Sequence, residues 1–195
     1  LRRDLLQVLI DAGESDRALA ELERWLTETP DAALRRLQML VYQAAGRQDE
    51  YEAVGATLLA EHPDDPGLNN DLGYTWIEAG RDIERATAMV RRAVVADPLQ
   101  AAYLDSLGWA YYRQGAFAPA RAYLSRAARL HAGQDPVIYD HLGDAEYRLG
   151  QVEAARRAWS RARELAGQRA PATLPAELLE RVAAKLAALE QGTTP

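Results

Sequence analysis

Gly73, Gly108 and Gly143 stand 35 residues apart, and Gly80, Gly115 and Gly150 repeat the same step. A self-similarity of this period constrains the chain more than any other feature, because it signals stacked supersecondary units instead of one closed core. Downstream of each glycine pair, alanines recur in register: Ala86, Ala120 and Ala155, then Ala93, Ala127 and Ala162. The first alanine interval is one residue short, which places one extra residue between Gly80 and Ala86. Upstream the repeat is fainter, with Gly13, Gly46 and Gly80 spaced 33 and 34 and Pro30, Pro63 and Pro98 spaced 33 and 35. Five units follow: 1–30, 31–65, 66–100, 101–135 and 136–166, the first truncated and the second degenerate.

Each unit reads as two antiparallel helices. Leu104, Leu107, Gly108 and Tyr111 fall at i, i+3, i+4 and i+7, the stripe of an amphipathic helix. Gly115 supplies the left-handed residue that closes it, and Phe117 opens a second helix carrying Ala120, Leu124 and Ala127. Pro119 falls in that helix's first turn, where a missing N–H costs nothing. Asp97-Pro98 and Asp135-Pro136 mark turns between units. No segment alternates as a strand does. Glycine facing alanine lets the paired backbones approach closely, which makes Gly73, Gly108 and Gly143 crossing points.

The stretch from Asn69 to Arg129 resembles tetratricopeptide repeats, in Leu72-Gly73, Trp76, Gly80, Ala86, Ala93 and Pro98 and again in Leu107-Gly108, Tyr111, Gly115, Ala120 and Ala127. Leu142-Gly143, Gly150, Ala155 and Ala162 form a third match, with Glu146 in the place of the aromatic. The resemblance implies an all-α, right-handed alpha-alpha superhelix of about five helix pairs. It also implies a bacterial protein of the multi-repeat or envelope-lipoprotein kind, which leans its location towards the envelope. After a linker at 167–174, residues 175–190 read as a final amphipathic helix starting at Pro175, with Leu178, Leu179, Val182, Leu186 and Leu189 on one side. A solenoid needs such a cap over its last repeat.

Composition narrows function. A net charge of −6 argues against general binding of nucleic acid, and no apolar run is long enough to span a bilayer. With no cysteine, thiolate metal sites and cysteine nucleophiles are excluded. The chain opens at Leu1 inside an apolar helical pattern and reads as a piece of a longer protein. Lys185 is the only lysine among 23 basic residues, a bias that reads as genome composition.

Catalytic and phosphate-binding motifs are missing from the sequence, and His62, His131 and His141 have no second ligand at metal spacing. The expectation is no enzyme, no metal and no cofactor. His141 reads as a helix-surface or inter-repeat contact. Asp105 and Asp140 hold equivalent places in neighbouring first helices. With Asp144 they read as an acidic stripe facing a basic or polar partner segment, in preference to an acid–base pair.

The resemblance further implies that first helices line a concave groove for a protein or peptide. Carried over unit by unit, the groove residues are Arg36, Leu40 and Gln43; Asn70, Tyr74 and Ile77; Asp105, Trp109, Tyr112 and Arg113; and Asp140, Asp144, Tyr147 and Arg148. Tyr74, Trp109, Tyr112 and Tyr147 read as anchors. Wedging between adjacent repeats is the rival reading for these aromatics. Asn70 alone fits the set that grips chaperone-tail carboxylates elsewhere in the family, and the aspartates would repel such an end. Trp25, Trp76 and Trp159 read as core. The expected function is a non-catalytic scaffold or adaptor. Self-association through the first helix, or service as an accessory domain of a larger enzyme, are the alternatives.

Overall fold

The computed structural model describes residues 2–130, 134–169 and 177–195. Among these residues there are eleven α-helices and no strand. They pair in chain order: α1 (Arg2–Asp11) with α2 (Ser15–Glu28), α3 (Ala32–Ala44) with α4 (Gln48–Glu61), and α5 (Pro66–Glu78) with α6 (Ile83–Ala96). Then come α7 (Ala101–Arg113) with α8 (Phe117–Arg129), α9 (Pro136–Arg148) with α10 (Val152–Gly167), and a single α11 (Leu178–Gln191). Contacts divide the chain into two compact units, Leu1–Leu68 and Asn69–Pro195. The expected helix start at Pro175, most of the expected linker and His131 lie outside the described residues.

The turn inside each pair is set by one glycine. Gly115 takes a φ of +77°, which costs a residue bearing a Cβ about 1–2 kcal/mol. This conformation lets the Gly115 amide reach the Tyr112 carbonyl at 2.9 Å and the Ala116 amide reach the Tyr111 carbonyl at 2.9 Å. Two orphan carbonyls of α7 are thereby satisfied and the chain reverses. The same pair of bonds closes α1, α3, α5 and α9. The extra residue of the third repeat is absorbed just beyond α5, where Asp82 adopts a φ of 41° and its carboxylate accepts the Arg85 amide at 3.3 Å, capping α6. Asp31 and Asp135 cap α3 and α9 by accepting the amides of Ala33 and Val137, each at 2.9 Å.

Small residues make the crossings. A Cβ built on Gly108 would stand 2.6 Å from Leu124 Cγ and 3.1 Å from the Ala120 carbonyl oxygen, and one on Gly73 would stand 2.7 Å from Val90 Cγ2. On Gly143 it would run into the indole of Trp159. Ala86, Ala93, Ala120, Ala127, Ala155 and Ala162 are all fully buried. In the first compact unit the same repeat positions hold larger side chains. Leu6 and Trp25 occupy two of them in the first pair, where Ala18 keeps the third, and Met39, Tyr51 and Leu58 occupy all three in the second, all buried. The architecture is kept while the signature is lost, which is why the repeat reads faintly there.

In the second compact unit the main core joins Ile77, Val90, Leu104, Leu107, Ala127 and Ile138 across α5 to α9. A separate cluster seats α11, whose Leu178, Val182 and Leu186 pack on Ala155, Trp159 and Ala162 of α10. Trp25 and Trp159 are core residues as expected, at 6% and 1% exposure. Trp76 differs: it is half-buried against the core, and the guanidinium groups of Arg81 and Arg85 lie over its ring at 4.7 and 5.0 Å.

Candidate functional site

The residues expected to line a groove are carried in the second compact unit by α5, α7 and α9, where they stand at equivalent repeat positions. The structure brings most of them together, but not in the arrangement the sequence predicts. Ile77 is fully buried in the main core and is a packing residue, so it is corrected out of the groove set. Asn70 is also buried. Its Nδ2 donates to Asp71 at 3.3 Å, while its Oδ1 has no hydrogen-bond partner. In the first compact unit, Arg36 pairs with Asp65 at 2.6 Å and Leu40 is half-buried.

The acidic stripe requires the largest correction, because each of its carboxylates already has a partner inside the chain. Asp105 Oδ1 lies 3.0 Å from His141 Nδ1, with both side chains buried. Asp140, 1% exposed, accepts from Lys185 Nζ at 2.7 Å and from Arg181 Nε at 3.0 Å. Lys185 also bonds Asp144, which in addition accepts the indole N–H of Trp159 at 3.1 Å. Three acids therefore face three basic side chains, and the groups expected from a partner are supplied by His141 of α9, through its contact with Asp105, and by Arg181 and Lys185 of α11.

The electrostatics follow from burial. Burial pushes the His141 imidazolium towards neutrality, yet the adjoining Asp105 charge and hydrogen bond outweigh it and raise its pKa above the ordinary value, with help from Asp140 and Asp144. Burial lifts the Asp144 carboxyl above the ordinary range against the pull of Lys185, and the Asp140 charge adds to the lift. Burial, followed by the Glu78 and Asp105 charges, drives the Tyr74 phenol well above its usual range.

The aromatics form a column. Trp109 lies parallel to His141 with ring centroids 4.0 Å apart and parallel to Tyr112 at 4.7 Å, and its indole N–H donates to Glu78. Already stacked twice and bonded to the preceding first helix, Trp109 ties α5, α7 and α9 together, so the wedge describes its geometry better than the anchor. Tyr147 likewise leans on Trp159 at 5.8 Å, inside the cluster that seats α11. Tyr74 and Tyr112 are half-buried, while Arg113 and Arg148 are exposed. Arg113 donates to the Glu78 carbonyl at 3.1 Å, and Arg148 lies 4.1 Å over the Phe117 ring.

Sequence reasoning missed Lys185, Arg181, Glu78 and Phe117. One signal pointed to the first two: they are four residues apart and border the stripe of Leu178, Val182 and Leu186, where cations reach the groups an apolar face packs beside. Among the described residues there is no group of three or more metal-ligating side chains, and no helix is long and apolar enough to cross a membrane.

No family model matches the chain. A TPR repeat-containing protein of Pseudomonas aeruginosa is 26% identical over 157 residues, covering 62% of this chain, and the chain spans only 26% of that relative's length. Among solved structures, a thermophilic TPR protein of Thermus thermophilus matches with a TM-score of 0.73 at 23% identity, over 95% of this chain and 97% of that one. PilW, a widely conserved type IV pilus biogenesis factor, matches with a TM-score of 0.71 at 20% identity, over 97% and 92%. MamA from Desulfovibrio magneticus matches with a TM-score of 0.67 at 19% identity, over 86% and 94%. Helix pairs closed by glycine, close crossings at Gly73, Gly108 and Gly143, and these likenesses agree: the chain has the tetratricopeptide-repeat fold, with the repeat signature in its own sequence.

Proposed function

We propose that the chain is a non-catalytic scaffold that binds a protein segment along the first-helix face of its second compact unit. The observation that carries this reading is a set of outward side chains held in place before any partner arrives. Tyr74, Tyr112, Arg113 and Arg148 are half-buried or exposed on α5, α7 and α9, and the Asp105–His141–Trp109 column beneath them fixes the helices that present them. Preformed side chains lose little freedom on binding, so contact energy is not spent on ordering them. Aromatic and arginine side chains are also the types that dominate binding hot spots.

The test is capture from lysate of the source cells by the native chain and by a Tyr74→Ala/Tyr112→Ala variant of unchanged helicity. A partner held by the native chain and lost by the variant supports the face. Equal capture by both removes it.

A second reading, self-association through α1, has one observation in its favour: Leu5 and Val8 are 43% and 64% exposed on that helix. A mass by light scattering that stays constant with concentration would eliminate it.

A further inference from the structure

The internal neutralisation of the acidic stripe changes which partner charge the face can select. With Asp105 held by His141, and Asp140 and Asp144 held by α11, these carboxylates have no free charge to offer a basic segment. What remains outward is a row at one repeat position, Glu78 on α5, Arg113 on α7 and Arg148 on α9, each in the last turn of its first helix. Glu78 is itself engaged, accepting the Trp109 indole N–H and facing Arg113 at 4.0 Å. Glu146, the other carboxylate near the end of α9, faces Arg121 at 4.0 Å. Arg148 has no carboxylate within ion-pair distance among the described residues. Its guanidinium lies 4.1 Å over Phe117 and 6.0 Å from the Tyr112 ring.

From this charge balance we infer that the partner segment is acidic and docks across Arg113 and Arg148, with Tyr112 between them. The inference rests on the scaffold reading and gives it a partner chemistry. Both arginines offset the negative ends of their helices, a contribution that needs only their charge; Arg148 keeps its hydrogen-bonding edge for a carboxylate, while Arg113, which donates one N–H to the Glu78 carbonyl, keeps its remaining N–H groups. The stack on Phe117 holds Arg148 in place, so less side-chain freedom is lost when an acid pairs with it. Neighbouring packed helices lie about 8–10 Å apart. In a polyproline-II-like extended segment, with three residues per turn and about 3.1 Å per residue, two acidic residues three positions apart lie on one side and span the pair of arginines.

The experiment is selection of a displayed library of random linear peptides on the full chain, alongside Arg113→Gln/Arg148→Gln and Asp82→Asn variants. Asp82→Asn removes one surface charge that is not a member of the row and keeps a side-chain oxygen to cap α6. Peptides recovered on the native chain should be enriched in Asp and Glu. The enrichment should persist with Asp82→Asn and vanish with the double arginine variant, and a recovered peptide should lose about tenfold in affinity for each arginine removed. Enrichment in Lys and Arg, no charge enrichment, or acidic enrichment that survives the double arginine variant overturns the inference. If lysate capture still depends on Tyr74 and Tyr112 while the selected peptides are not acidic, the scaffold reading stands and only the partner chemistry falls.

Discussion

Replacing Lys185 with Met should unseat the C-terminal helix at a cost well above that of any surface charge. Methionine approximates the volume of the lysine stem, so the change isolates the cation. The lost ammonium lies 2.7 Å from Asp140 Oδ1, with side-chain exposures of 14% for the lysine and 1% for the aspartate. Removing one partner of a buried pair costs about 3–5 kcal/mol, chiefly because the other charge is left desolvated. Asp140 keeps Arg181 at 2.9 Å and Asp144 keeps the Trp159 indole N–H, which puts this case near the lower end, about 3 kcal/mol. For a chain of this size that corresponds to about 6–12 °C in melting temperature.

Arg181 binds the same Asp140 but is 44% exposed, so Arg181→Ala should cost about 1 kcal/mol or less. The contrast is read by urea melts followed by circular dichroism, with amide exchange locating the loss in α11. A Lys185→Met shift no larger than that of Arg181→Ala would refute the claim that the buried ion cluster holds α11 down.

Other outcomes follow from the same geometry. Gly108→Val places carbon where Leu124 and the Ala120 carbonyl already stand, and should cost about 1–3 kcal/mol; an unchanged melting curve would dismiss the close crossing of α7 and α8. Trp109→Ala removes two stacked contacts and should cost about 2–3 kcal/mol, with faster amide exchange in α7 and α9. If exchange in α9 is untouched, Trp109 is no wedge. His141 has its pKa raised by Asp105, so its contribution is fully present below the unfolded value near 6.5 and is lost as pH rises through the folded value. The urea midpoint should therefore fall on the alkaline side more steeply in the native chain than in His141→Gln, and parallel profiles would mean that the imidazole carries no linked charge.

The fold was legible because each element of the repeat has a local cause. A left-handed glycine closes a helix wherever it occurs, and glycine against alanine permits only a close crossing, so Gly108, Gly115 and Ala120 announce α7 and α8 without knowledge of anything distant. The candidate site was legible only in outline. Equivalent repeat positions assign Asp105, Trp109, Asp140 and Arg148 to successive first helices, and α7 and α9 carry them. The same argument misjudged Ile77, since it assigns a residue to a face but does not determine how much of that face the neighbouring helix covers.

The charge of the face was the part least open to local reasoning. Asp140 and Lys185 are 45 residues apart, and α11 stands outside the repeat register that guided every other comparison. A stripe of aspartates on a solenoid reads as a demand for an external base until the capping helix is seen to supply one. That substitution bears on the proposed partner. In the stripe the carboxylates are spent in holding the last repeat to its neighbour and its cap, while Arg113 and Arg148 stand exposed further along the same helices, eight residues beyond Asp105 and Asp140. Lys185, with Arg181 and His141, thus occupies the acids of the face, and on the proposed reading Arg113 and Arg148 set the charge that an incoming chain meets.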